Sequence, residues 1–257
     1  MAPISACFAA VRTAVKLPCM AETNSRTVIL VTHEPAPLPD TASQRLAAMG
    51  YRLEWVCPAA GQRLPDIAPH HVAAIVYGGQ YAATETRRFP FMAAEIDWVG
   101  QWLATGRPFL GICSGAQVLA VQLGSGLAPH PDGLSEIGYY TIDPTPDGAS
   151  VFPNRMTVAQ WHYLGFEIPD SALQLATSGI FPNQAFRYAE NAFGFQFHPE
   201  ISMEQHEAWL ETQIDMTTIP GAQDVFTQRQ LADVYHAPMK TWFEDFLEKW
   251  IRGGVPW

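Results

Sequence analysis

The chain has 257 residues, 48% of them hydrophobic, and a formal net charge of −10. That is enough apolar material for one large α/β core, and an acidic chain without a basic run excludes nucleic acid and acidic membrane surfaces as partners. No apolar run approaches the ~18–20 residues of a membrane span. The cysteines (Cys7, Cys19, Cys57, Cys113) form no C-x-x-C pair and no zinc-ligand spacing, which points to a reducing cytoplasm and to no metal site.

Residues 1–25 carry Arg12 and Lys16 but no acid before Glu22. They read as a poorly packed extension upstream of a natural start at Met20. A continuous β-rich run over 26–32 is a buried strand of the parallel-sheet kind. A Pro-rich loop over 34–39 leads to a helix capped near Asp40 or Thr41 and ending by Gly50. Residues 51–57 form a second strand, with Cys57 a packed thiol. Residues 71–77 form a third, followed at once by Gly78-Gly79-Gln80. Paired glycines there either make an ordinary tight turn or let backbone N–H groups face an incoming anion. Helical spacing over 91–105 is closed by Gly106, with Trp98 and Trp102 as packing residues.

The stretch that organises the chain follows. Residues 108–112 form a buried strand that turns at Gly111-Ile-Cys-Ser-Gly115 and continues as a helix. Glycines two residues either side of Cys113 allow a strained turn that lifts the thiol above the sheet edge. This is the cysteine form of a nucleophile elbow, G-x-C-x-G, and the helix N-terminus behind Cys113 favours thiolate over thiol.

Strands are expected over 136–143, 156–162, 172–178 and 184–189. Phe193-Gly-Phe-Gln-Phe-His-Pro-Glu200 then alternates as a strand and ends in His198, Pro199 and Glu200. A base two residues before a carboxylate can reach a thiol while the carboxylate orients its imidazole. Helices are expected over 202–214, 225–235 and 237–251. In the last, Trp242, Phe243, Phe246 and Trp250 form a stripe that packs on the core or forms a homodimer seam. The acidic tail from Glu200 onward reads as a solvated face.

Both motifs, in this order, resemble those of the class I (triad) glutamine amidotransferases, whose patterns are G-[IV]-C-x-G-x-Q and G-x-Q-F-H-P-E. The resemblance runs from about residue 27 to 205. It implies Cys113 as nucleophile, His198 as base and Glu200 as the group orienting it. It also implies an oxyanion hole of the Gly79 and Ser114 N–H groups, and a glutamine contact at Gln117. The family's oxyanion loop is usually Gly-Gly-Pro, so Gln80 stands for a proline. Glu136-Ile-Gly-Tyr is similar to the E-I-G-W segment of the subgroup nearest GMP synthetase amidotransferase domains. The run ending in Trp161 and His162 is similar to that subgroup's Ser-His-Gly-Asp, the region that holds the α-groups of glutamine. There Trp161 replaces the serine and Leu164 lies where the aspartate is expected.

The expected fold is therefore α/β, a doubly wound, mostly parallel, flavodoxin-like sheet flanked by helices. Residues 1–25 would be an extension, 26–205 the amidotransferase domain, and 206–257 a C-terminal helical extension packed on it. The site belongs at the carboxyl ends of the strands. The implied reaction is hydrolysis of the L-glutamine side-chain amide without a cofactor, with ammonia passing to a separate synthetase subunit. A γ-glutamyl peptide or amide hydrolase is the alternative, and a non-catalytic regulatory homologue is the third reading.

Overall fold

The computed structural model of the protein describes residues 26–212 and 214–253. The extension expected over residues 1–25, with Cys7 and Cys19, lies outside them. In chain order the elements are β1 (Thr27–Val31), α1 (Thr41–Ala48), β2 (Arg52–Val56), β3 (His71–Val76), α2 (Pro90–Leu103), β4 (Phe109–Ile112), α3 (Ser114–Gln122) and β5 (Leu127–Pro129). They continue with β6 (Glu136–Pro144), β7 (Met156–His162), β8 (Leu164–Phe166), β9 (Ala172–Thr177), β10 (Ala185–Tyr188), β11 (Ala192–Phe195), α4 (Met203–Leu210) and α5 (Val225–Ile251).

Nine strands form one sheet in the order β2-β1-β3-β4-β11-β10-β9-β6-β7. From β2 to β11 neighbours are parallel, and from β11 outward each pair is antiparallel. The doubly wound sheet flanked by helices is thus present, with an antiparallel half grown onto a parallel one. β5 and β8 pair separately as a two-stranded sheet.

The parallel strands are apolar throughout because both faces are covered. Along β1, Val28 and Leu30 pack with Leu46 of α1 and with Phe243, Phe246 and Trp250 of α5. Their neighbours Ile29 and Val31 point the other way, onto Met92, Trp98 and Trp102 of α2 and Val118 and Leu119 of α3. The two-residue period of a strand divides one run between two cores.

Local chemistry sets the helix starts. Asp40 caps α1, its carboxylate accepting from the Ser43 N–H at 3.0 Å while Ser43 Oγ accepts from the Asp40 N–H at 3.2 Å. Such a reciprocal box contributes about 1 kcal/mol. Ser202 and Gln205 repeat the device at α4, which ends at Leu210 rather than continuing to residue 214.

The two helices expected over 225–235 and 237–251 are one helix of 27 residues with Pro238 inside it. Pro238 cannot donate to the carbonyl four residues back, at Val234. Both residues are exposed, so water can take that carbonyl. The inner face of Ala232, Met239, Phe243 and Trp250 stays buried and carries the helix past the proline. The aromatic stripe packs on the core: the Trp242 indole donates to the Val151 carbonyl at 2.9 Å and that of Trp250 to Asn191 at 3.2 Å. Among the described residues no helix is long and apolar enough to cross a membrane.

Candidate active site

In the sheet β1, β3, β4 and β11 are consecutive parallel neighbours. Their carboxyl ends therefore open on one edge, and each is followed by a residue of chemical interest: His33, Gly78, Cys113 and His198. This is where a doubly wound sheet gathers ligands.

Cys113 sits between β4 and α3 with φ 50° and ψ −112°. A non-glycine residue held there stores about 1–3 kcal/mol of strain, which the surroundings must impose. The motif's glycines explain how. A Cβ on Gly115 would run into the Val76 carbonyl of β3, and one on Gly111 would lie 2.5 Å from the Gly115 carbonyl. The turn closes tightly only because both side chains are absent. The Cys113 N–H donates to the Phe195 carbonyl at 2.7 Å, tying the elbow to β11.

His198 follows β11, and its N–H donates to the Ala159 carbonyl of β7 at 2.8 Å. Its Nδ1 lies 2.8 Å from Glu200 Oε1, with both side chains buried. The ring stands beside Cys113 and interacts with its sulfur, and with Nδ1 occupied by Glu200 Nε2 is the nitrogen left free. The edge of the imidazole rests on Trp209, with ring centroids 4.9 Å apart. Burial pulls the His198 pKa down, but the charge of Glu200 and the Cys113 sulfur outweigh it and push the value up to about 10. The surroundings thus favour the protonated imidazole beside the sulfur.

Gly78 and Gly79 lie against these groups. A Cβ on Gly78 would stand 2.8 Å from His198 Cε1 and 3.1 Å from Cys113 Cβ, and one on Gly79 would strike the His33 ring at 2.5 Å. Only glycines fit between the two histidines. Ser114 opens α3, so its N–H is one of the unpaired donors of a helix start. Two more polar groups reach the sulfur: the Trp161 carbonyl at 3.9 Å and the Gln196 amide Nε2 at 3.8 Å.

A cavity of about 690 Å³ opens over Cys113. His33, Asp40, His162 and His198 border it, and Leu38, Trp55, Trp161, Trp209, Ile214 and Ile219 make much of its wall apolar. Asp40 is held by the Tyr77 hydroxyl at 3.1 Å. Burial, and then the nearby Glu200 charge, raise its pKa, against the lowering effect of its Ser43 hydrogen bonds.

The profile of the family "Glutamine amidotransferase class-I" matches residues 69–216, more than half of the chain. The glutamine amidotransferase-like protein YfeJ of Salmonella typhimurium is 31% identical over 170 residues, 63% of this chain and 70% of that protein. The chain belongs to the class I glutamine amidotransferase family. A GMP synthase [glutamine-hydrolyzing] of Streptococcus pneumoniae is 36% identical over 100 residues, which are 37% of this chain but only 19% of that enzyme. Among solved structures, a glutamine amidotransferase of Thermotoga maritima superposes with a TM-score of 0.78 at 25% identity, covering 88% of this chain and 97% of its own. One from Methylobacillus flagellatus shares the fold with a TM-score of 0.81 at 22% identity, over 89% and 95% of the two chains.

Seen as an amidotransferase site, the remaining sequence candidates divide. Trp161 lines the cavity and packs edge-on against Trp209, 5.3 Å between centroids. His162 borders the cavity, but both of its ring nitrogens are engaged, Nε2 with Glu136 Oε2 at 3.0 Å and Nδ1 with the Leu164 carbonyl at 3.0 Å. Glu136 is fully buried and also accepts from Ser178 and Gln184. Gln117 does not border the cavity; its Nε2 donates to the Leu164 carbonyl at 3.0 Å and to Gln196 at 3.4 Å. Leu164 faces a smaller neighbouring hollow with Tyr163 and Arg88.

Sequence reasoning passed over Gln196, although it lies within the histidine motif, and His33 with its buried partner Glu95. A histidine two residues past a strand's carboxyl end, and a glutamate on the buried stripe of α2, were the available signals. Among the described residues Glu54, His70 and His71 could surround a metal ion. However, His71 Nδ1 accepts from the Ala68 N–H at 3.0 Å, so its Nε2 carries the proton and faces Glu54 at 3.4 Å. That leaves no lone pair for a metal.

Proposed function

We propose that the protein hydrolyses the side-chain amide of L-glutamine through a γ-glutamyl thioester on Cys113. The observation that carries this reading is the strained Cys113 turn held against the buried His198–Glu200 pair, with the Gly78–Gly79 loop beside both. Cys113 Sγ attacks the amide carbon and the C–N π electrons move to the carbonyl oxygen. That oxyanion takes hydrogen bonds from the Gly79 and Ser114 N–H groups. His198 gives its proton to the departing nitrogen, the C–N bond breaks and ammonia leaves. Water then attacks the thioester, His198 takes its proton, and the C–S bond breaks to release glutamate and return the sulfur and the protonated imidazole to their starting state. Glu200 holds the ring in line and stabilises its charged form. Ammonia passes to an acceptor on a separate synthetase, as the likeness to the amidotransferase part of GMP synthase suggests. A reducing, cytoplasmic setting suits the free Cys57 and Cys113.

A second reading is favoured by the cavity. A volume of about 690 Å³ with a tryptophan- and isoleucine-rich wall is in the range of pockets that take drug-sized ligands and is more apolar than glutamine requires. On this reading the substrate is a γ-glutamyl amide bearing an apolar group on nitrogen, and that group lies along Trp161 and Trp209. Comparing kcat/KM for L-glutamine and for a γ-glutamyl anilide decides between the two. A preference for the anilide supports the hydrolase, and a strong preference for glutamine supports the ammonia donor. Ammonia or amine release that survives Cys113→Ala contradicts both.

A further inference from the structure

On the far side of the Gly78–Gly79 loop from Cys113 lies a third histidine–glutamate pair. His33 Nε2 is 3.1 Å from Glu95 Oε2 and 3.3 Å from Oε1, and both side chains are completely buried. Its Nδ1 faces the Gly78 carbonyl oxygen at 3.4 Å. A carbonyl oxygen and a carboxylate only accept hydrogen bonds, and a neutral imidazole has one N–H to offer. With Glu95 ionised, both contacts are satisfied together only by the doubly protonated ring. The ring is also wedged in place. It fills the space that a Gly79 side chain would need, and Tyr81 and Phe91 stand around it at 5.8 and 6.0 Å between centroids.

A trans peptide points its carbonyl and its N–H in opposite directions. The Gly78 carbonyl and the Gly79 N–H belong to one such unit, so a donor gripping the carbonyl turns the N–H away from itself. We propose that His33, anchored by Glu95, is a positioning residue that holds the Gly78–Gly79 peptide with its N–H aimed at the developing oxyanion. Here the usual rigid proline after the two glycines is absent, Gln80 standing in its place. The grip from behind supplies the stiffness, and the charge polarises the peptide toward a stronger donor.

The charged groups facing His33 are Glu95 on α2 and Glu34 beside it in the chain; the Tyr81 phenol and the Phe91 ring complete its surroundings. Burial works against protonation, but the Glu95 hydrogen bond and charge outweigh it, with smaller contributions from the Gly78 carbonyl and Glu34, and the pKa is raised. The surroundings therefore favour the charged ring, and the Gly78 contact is lost as pH climbs through that raised value.

The inference rests on the proposed amide hydrolysis for its kinetic consequence but not for the protonation itself. [15N]Histidine NMR of the full chain, with the His33 signals assigned by their loss in His33→Asn, should show both ring nitrogens protonated at pH 7. A single neutral tautomer overturns the proposal whatever the enzyme turns over. In kinetics, His33→Leu should lower kcat by about 10- to 100-fold, less than the loss of an oxyanion donor outright, with KM within about threefold. His33→Asn keeps an N–H for the Gly78 carbonyl and should recover most of that loss. Glu95→Gln should move the alkaline fall of kcat to lower pH. Should His33→Leu fail to fold because Glu95 is left unpaired, the double variant His33→Leu/Glu95→Leu removes both groups and should show the same kcat defect. Unchanged kcat in a folded His33→Leu or double variant, or no recovery in His33→Asn, refutes the positioning role. Absence of Cys113-dependent hydrolysis in the wild type instead refutes the proposed reaction, and the NMR result then decides the His33 claim alone.

Discussion

Three histidines paired with a glutamate border the same cavity, and the pairs of His198 and His162 differ in one nitrogen. In His198–Glu200 the carboxylate takes Nδ1 at 2.8 Å and the other nitrogen is left for Cys113. In His162–Glu136 the carboxylate takes Nε2 at 3.0 Å and the Leu164 carbonyl takes Nδ1. Burial and a carboxylate partner are common to both, so neither marks a base. On the proposed mechanism, what marks it is a ring nitrogen left free beside Cys113. His162 is instead a strut that fixes the loop after β7 to Glu136, Ser178 and Gln184.

The largest expected effect tests the free nitrogen. His198→Ala should lower kcat by at least about 10³-fold, the scale at which a nucleophile's base is felt, while circular dichroism and Tm report a folded protein. A rate within tenfold of wild type would put the base elsewhere and erase the distinction.

Next comes Glu200→Gln, which keeps a hydrogen-bonding side chain but removes the charge. It should cost about 10²-fold in kcat with KM little changed. Because the Glu200 charge is the foremost influence raising the His198 pKa against burial, its loss should shift the alkaline limb of the pH–rate profile downward. The stability sign follows. A histidine raised to about 10 when folded, from 6.5 unfolded, stabilises fully below pH 6.5 and loses that contribution as pH rises through about 10. Glu200→Gln should therefore lower Tm more at pH 6 than at pH 10, read by thermal denaturation.

Glu136→Gln makes the opposite division. It leaves His162 without its carboxylate inside a buried network, so Tm should fall by the equivalent of about 1–3 kcal/mol. KM should rise more than kcat falls, because a loop of the cavity wall is loosened. A kcat loss as large as that of Glu200→Gln would show the two pairs to be equivalent.

The smallest effect sharpens the environment of the sulfur. Gln196→Met removes the amide 3.8 Å from Cys113 Sγ and the acceptor of the 3.4 Å bond from Gln117. One neutral hydrogen bond is worth ~1 kcal/mol, so kcat should fall about two- to tenfold with little change in its pH dependence.

The contrast also shows what could be read before any coordinates. Cys113, His198 and Glu200 announce themselves because each motif is local: the strand, its end and the special turn fall within eight residues of one another. The doubly wound class came with the family resemblance that these motifs carry, while the order of the strands is seen only in the folded sheet. His33 and Glu95 are 62 residues apart and Glu136 and His162 are 26 apart, so these pairs exist only after the sheet has ordered its strands. The continuity of α5 was hidden for a related reason. Pro238 reads locally as a break, and only the buried inner face of Met239 and Phe243 shows what carries the helix across it. Gln117 is the reverse case, where a motif match points toward the substrate and the folded side chain turns to Leu164 and Gln196.

The central claim is that Cys113 carries the γ-glutamyl group. Acid quenching during turnover of L-glutamine or a γ-glutamyl anilide, followed by peptide mass spectrometry, measures this directly. The account predicts a γ-glutamyl adduct on the peptide containing Cys113, accumulating further in Glu200→Gln if deacylation slows, and missing in Cys113→Ala. An adduct on Cys57, or ammonia release by Cys113→Ala at the wild-type rate, would contradict it.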